Sequence, residues 1–145
     1  MVGTDPGIAE AGEGPLWYRG LATSEEAPLA AHVDQVLANF GVQHIVIGHS
    51  VTAGTVMTRH AGKVTMIDVG LLAVYGGPPA CLVIENGKPY TLHRGQKLEL
   101  PEGGADPLPY LKAAAALDPQ PSRLQKLIDQ LEAQSAEAAR LGRVG

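Results

Sequence analysis

The sequence has one cysteine, Cys81, so no disulfide can form within the chain and no cysteine pair exists to build a structural zinc site. Cys81 falls in the apolar run Ala80-Cys81-Leu82-Val83-Ile84 and reads as a buried small hydrophobe rather than a nucleophile. Aromatic residues are scarce, at 4%, so a core must be built mainly from Leu, Val, Ile and Ala. No apolar stretch approaches the roughly 20 residues that a membrane-spanning helix needs. Residues 1–14 are Gly-rich and acidic, without the basic and apolar regions of a signal peptide, which points to a cytoplasmic protein. Positive charge is not in excess: 11 Lys plus Arg stand against 15 Asp plus Glu, a net charge of −4. That balance gives no electrostatic footprint for nucleic acid or an anionic membrane.

What is present is 145 residues with 45% apolar content, enough for one domain with one core. Residues 1–13 have the composition of a flexible segment. Residues 28–40 predict an amphipathic helix, with Leu29, Val33, Val36, Leu37 and Phe40 on one face and Gly41 as its cap. Val42–Ile47 follows as a β-branched strand whose continuous apolar character predicts burial on both faces of a parallel or mixed sheet. Gly48–Thr58 reads as a loop or short helix, and Lys63–Val69 as a second strand. Ala80–Glu85 and Lys88–Arg94 are strands joined by Asn86-Gly87, a strong hairpin turn. Residues 95–106 have loop composition. Helices are predicted over 107–117 and 121–141, the second striped by Leu124, Leu127, Ile128, Leu131 and Leu141. The order defines an α/β (α+β) fold with a helical tail over 107–141.

His49 is the first candidate for chemistry. It follows a strand and Gly48, at the strand's C-terminal end, where ligands bind in open α/β sheets. Gly48 there allows close backbone approach or a positive φ. A neutral imidazole in that place can ligate a metal or transfer a proton. From position alone, a structural hydrogen bond to the loop is the commoner outcome. The other histidines stand at no metal-ligand spacing: His32 beside the helix's apolar face, His44 packed in the strand, His60 in a loop and His93 at the hairpin's end. Arg19, next to Tyr18 and Trp17, can present a guanidinium fork to phosphate or stack as a surface arginine. Asp68, in an apolar strand, needs a partner if buried, and suits a structural role anchoring the His49 loop. The hydroxyl of Tyr75, in the turn Tyr75-Gly76-Gly77, can line a site or cap a loop.

Taken in order, these segments resemble a known family. Gly14-Pro15-Leu16-Trp17-Tyr18-Arg19-Gly20, Val46-Ile47-Gly48-His49-Ser50 and Gly62–Leu71, with its Ile67-Asp68-Val69-Gly70-Leu71 ending, resemble bacterial-type phosphoprotein phosphatases of the calcineurin-like metallophosphoesterase superfamily. Tyr75-Gly76-Gly77 and the hairpin over 80–94 follow in the expected order, so the resemblance covers roughly residues 14–95. It implies the C-terminal half of a two-sheet sandwich flanked by helices, over residues 14–100. It also implies two divalent metals, Mn, Fe or Zn, whose bridging hydroxide attacks phosphorus. His49 would be a metal ligand, Arg19 would hold the substrate's phosphate, and Tyr75 would line the pocket. Substrates would be phosphorylated proteins or small phosphoesters. The family's early motifs, Gly-Asp-x-His-Gly, Gly-Asp-x-x-Asp-Arg-Gly and Gly-Asn-His-Glu, are absent. The expectation is therefore a C-terminal fragment, inactive alone, with at most part of one metal site. It would need a missing N-terminal half or would self-associate. The alternative is a non-catalytic protein-binding module or one half of a split enzyme.

Overall fold

The computed structural model describes residues 11, 14, 16–72 and 74–142. Apart from Ala11, the segment 1–13 lies outside the described residues. A short helix α1 (Gly20–Thr23) leads into α2 (Glu26–Phe40), followed by strands β1 (Ile45–Ile47), β2 (Met57–Arg59) and β3 (Val64–Met66). Strands β4 (Ala80–Glu85), β5 (Lys88–His93) and β6 (Gln96–Glu99) come next, then helices α3 (Leu108–Leu117) and α4 (Gln125–Leu141). The α/β class expected from sequence is the class observed: two three-stranded sheets with four helices among the described residues. No helix among those residues is long and apolar enough to cross a membrane.

The first sheet has the order β1-β3-β2, with β1 parallel and β2 antiparallel to β3. Helix α2 covers it. Val33 and Leu37 pack on Val64, with Leu21, Ile45 and Ile47 around them. The helix stops where its pattern says it should, because Gly41 adopts φ 62° and receives the chain in the left-handed conformation that a side chain resists. Two expectations fail here. Val46 is 45% exposed because β1 is an edge strand with one neighbour, so its apolar run is not buried on both faces. Phe40, the last residue of α2, is 77% exposed and takes no part in the core that Val33 and Leu37 form.

The second sheet is the antiparallel meander β4-β5-β6. Helices α3 and α4 pack on it through Leu111, Ala114, Ala115, Leu124 and Ile128, which meet Ala80, Leu100, Val56 and Val69 in the larger core. Fully burying each such Leu or Ile contributes about 1.5–3 kcal/mol. Only the N-terminal part of α4 joins this core, and Leu141 is 68% exposed rather than part of the packed stripe. Cys81 is likewise exposed, not the buried small hydrophobe that its apolar run suggested.

Within the larger core lies a buried polar cluster. The Tyr110 hydroxyl donates to the Val56 carbonyl at 2.7 Å and meets the Thr55 and Thr91 hydroxyls at 2.9 Å each. It ties α3 to β5 and to the chain entering β2. Burial pushes its phenol above the ordinary value of 10.0, although the hydrogen bonds with Thr55 and Thr91 oppose that rise. Tyr110→Phe removes this oxygen, takes that partner from the buried Val56 carbonyl and Thr91 hydroxyl, and leaves the Thr55 hydroxyl with His93 alone. It should cost about 2–4 kcal/mol of stability in urea unfolding. A loss under about 1 kcal/mol would show that the hydroxyl does not hold the core together.

Candidate functional site

Strand β1 ends at Ile47, whose carbonyl accepts the Ile67 amide at 3.0 Å. Beyond it the chain must turn away from a parallel neighbour. His49 makes that turn at φ 60°. Five non-glycine residues among those described have positive φ, and the other four, His60, Ala61, Asn86 and Arg94, lie in tight turns between antiparallel strands. His49 lies in no hairpin, so its left-handed backbone, a cost of about 1 kcal/mol, must be held by the surroundings. Gly48, credited with that freedom from sequence, has no positive φ, and a Cβ on it would meet nothing within 4 Å.

The surroundings are identifiable. Arg19, at the start of α1, donates through Nη1 to the His49 carbonyl and to Ser50 Oγ, the latter at 3.3 Å. The Trp17 ring meets the His49 ring edge-on, with centroids 6.0 Å apart at 66°. Three residues after His49, the Thr52 amide donates to the Asp68 carbonyl at 2.8 Å, and Thr52 Oγ1 donates to the Thr55 carbonyl at 2.7 Å. Asp68 Oδ1 accepts the Gly70 amide at 3.0 Å. Asp68 thus ties the loop down by its main chain, while its carboxylate closes its own turn.

Tyr75 stands beside the same edge. A Cβ on Gly70 would come within 2.9 Å of Tyr75 Cβ and 3.0 Å of Val51 Cγ1, so Gly70, at φ 67°, lets the two segments close together. The Gly77 amide donates to the Gly70 carbonyl at 2.9 Å and pins the turn. Tyr75 is 55% exposed and makes no hydrogen bond to Arg19 or His49. Arg19 and His49 are therefore brought into contact, while Tyr75 packs near Gly70 and touches neither through a hydrogen bond. His49 itself is exposed.

Among the described residues, no three His, Cys, Asp or Glu side chains stand close enough together to hold a metal ion. The donor set on this edge is one imidazole, which fits a single ligand position and not a complete two-metal centre.

Of the remaining histidines, His44 departs from expectation, while His60 lies in a turn and His93 ends β5, as expected. His44 precedes β1 rather than packing in it, and is exposed, with Nδ1 3.3 Å from the Gly62 carbonyl. His60 is buried at 6% exposure with neither ring nitrogen hydrogen-bonded. It borders a 340 Å³ cavity beside Glu26, Val33 and Lys63. His93 is fully buried, with Nε2 3.0 Å from Asp118 Oδ1 and Nδ1 3.2 Å from Thr55 Oγ1. Asp118 also accepts Arg94 Nε at 2.7 Å and Ser122 Oγ at 2.8 Å. An inverted pattern on β5, with Thr91 and His93 buried and Leu92 36% exposed, marks this cluster.

No protein-family model matches the sequence. Over 72 residues the chain is 36% identical to an uncharacterised protein of Schizosaccharomyces pombe, covering 50% of this chain and 22% of the yeast protein. Among solved structures it is similar to a cold-active protein tyrosine phosphatase, at TM-score 0.56 and 30% identity, covering 66% of this chain and 27% of that one. Over that length its fold is phosphatase-like. The chain spans about a quarter of the length of either relative.

Burial pushes the Asp118 carboxyl up, but hydrogen bonds from Arg94, Ser122 and His93 outweigh it and hold the group below its ordinary value of 3.8. A lowered carboxyl contributes stability above its unfolded value and loses it as pH falls through the folded one. Asp118→Asn should therefore be less stable than wild type at neutral pH, with the gap closing below pH 3.8. Urea unfolding at pH 7, 4 and 3 measures this, and a gap independent of pH would contradict it.

Proposed function

We propose that this chain is the C-terminal part of a metal-dependent phosphoester hydrolase of the calcineurin-like type, and that it contributes the Arg19–His49 corner of the site. The observation that carries the reading is that corner itself. Two residues 30 positions apart meet at the C-terminal end of a parallel-paired strand, one of them in a held, left-handed conformation. The ordered sequence segments and the likeness to a protein tyrosine phosphatase support it. His49 offers an imidazole as one ligand of a divalent metal. Arg19 commits Nη1 to the loop, so Nε and Nη2 are the donors that meet phosphate oxygens. Tyr75 lines the substrate side, where a phosphorylated protein or small phosphoester would bind. The described residues do not furnish a whole metal centre, so further ligands come from another segment, and this chain alone turns over no phosphoester.

Mn²⁺ titration followed by NMR tests the ligand role without requiring turnover. Paramagnetic broadening should begin at His49 and Ser50 and vanish in His49→Ala. Broadening that starts elsewhere, or survives the substitution, would remove His49 from the proposed site.

A second reading, a protein-binding module, is favoured by one observation. Leu71, Leu72, Val74 and Tyr75 are 66%, 68%, 79% and 55% exposed in one short stretch beside the site. Sedimentation equilibrium separates the readings. A part of a larger domain leaves apolar surface open and self-associates at micromolar concentration. A chain that stays monomeric throughout favours the module.

A further inference from the structure

The buried cluster around His93 lies outside the site just described, yet its hydrogen bonds can be assigned one by one. Tyr110 has one hydroxyl hydrogen. The Val56 carbonyl can only accept, so the 2.7 Å contact uses that hydrogen. The Thr55 and Thr91 hydroxyls, both 2.9 Å from the Tyr110 oxygen, must then each donate to it. Thr55 has now spent its only hydrogen, so its 3.2 Å contact with His93 is an acceptance from Nδ1–H. On the other side of the ring, Asp118 already accepts from Arg94 and Ser122, and the lowered carboxyl leaves it no hydrogen to give. The 3.0 Å contact is therefore donated by Nε2–H.

We infer that His93 carries hydrogens on both ring nitrogens, and that this buried imidazolium, gripping Thr55 from within the core, positions the turn that presents His49. The mechanical link is short. Thr55 Oγ1 is held by His93 and Tyr110, and its carbonyl accepts from Thr52 Oγ1 at 2.7 Å. Thr52 Oγ1 also accepts the Gly54 amide at 3.3 Å, and the Thr52 amide reaches Asp68 at 2.8 Å. The far end of the His49 loop is thereby fixed to β5 and to the segment after α3, while Arg19 fixes the near end. Leaving a polar group unpaired at zero exposure is costly, so the assignment with every contact satisfied is the stable one. The charge is balanced on the spot by Asp118, whose side chain is 5% exposed, with Arg94 on its outer side. His93 and Thr55 are positioning residues and touch no substrate. The positioning role rests on the reading of His49 as a site residue, whereas the hydrogen count does not.

The test uses the whole chain and needs neither metal nor phosphate, so its failure is distinct from failure of the phosphatase reading. In ¹⁵N NMR of the wild-type imidazoles at neutral pH, both His93 nitrogens should show a bonded hydrogen. One bare nitrogen overturns the assignment. Amide exchange then reads the loop. Thr55→Val should speed exchange at the Thr52 amide, which is bonded to Asp68, about tenfold, while Thr55→Ser keeps the wild-type rate. The Leu111 amide serves as the core reference and should not change. An equal acceleration at Leu111, or none at Thr52, would leave Thr55 a structural residue only and overturn the positioning role. If Thr55→Val does not fold, His93→Gln is measured in the same way with the same outcomes expected.

Discussion

Helix α3 is joined to both sheets through one buried group, the Tyr110 hydroxyl. Apolar packing brings α3 against the second sheet, but hydrophobic contact has no direction and would tolerate α3 sliding along it. The hydroxyl supplies direction. It reaches the Val56 carbonyl, Thr55 and Thr91 at once, and so fixes the helix against β5 and against the strand entry of the first sheet. These partners lie 54, 55 and 19 residues away in sequence. Any shift of α3 breaks more than one of them, and each broken contact leaves a polar atom without water to replace it.

That junction also explains why an exposed loop can hold a strained residue. The left-handed backbone of His49 is about 1 kcal/mol above its alternatives, so a free loop would relax it. Here the loop is clamped at both ends: by Arg19 on the near side, and on the far side by Thr52, which is tied to Asp68 and to the Thr55 turn. The far clamp leads directly into the polar core. A rigid interior and a presented imidazole are thus two ends of one connected set of hydrogen bonds. This arrangement suits a group that must keep its place before a ligand arrives.

The elements that were legible in sequence are those with local causes. Asn86-Gly87 predicted its hairpin because the turn needs two positive φ values, and both are found, at 51° and 76°. Arg94-Gly95 makes the same kind of turn, at 48° and 78°, but arginine is not a turn former, so β6 was hidden in what read as a loop. Strand β2 is three residues long and leaves no alternation to detect. The helix over 28–40 was legible, though two residues short at its start and with Phe40 on the wrong side of burial. On the candidate edge, His49 and Arg19 stood out individually, but their contact across 30 residues was not readable from either one. His93 was passed over for a physical reason. A hydrophobic pattern marks where apolar side chains are buried, and β5 buries its polar side chains against partners supplied from remote segments.

The central claim is that the Arg19–His49 corner is one part of a phosphoester-hydrolysing site completed by another segment. The most direct measurement joins this chain to the part of the similar phosphatase that its match does not cover, and follows p-nitrophenyl phosphate turnover with Mn²⁺. The account predicts turnover by the joined protein and none by either part, with a loss of at least about a hundredfold in His49→Ala and a smaller loss in Arg19→Ala. Turnover that is indifferent to His49 would contradict it.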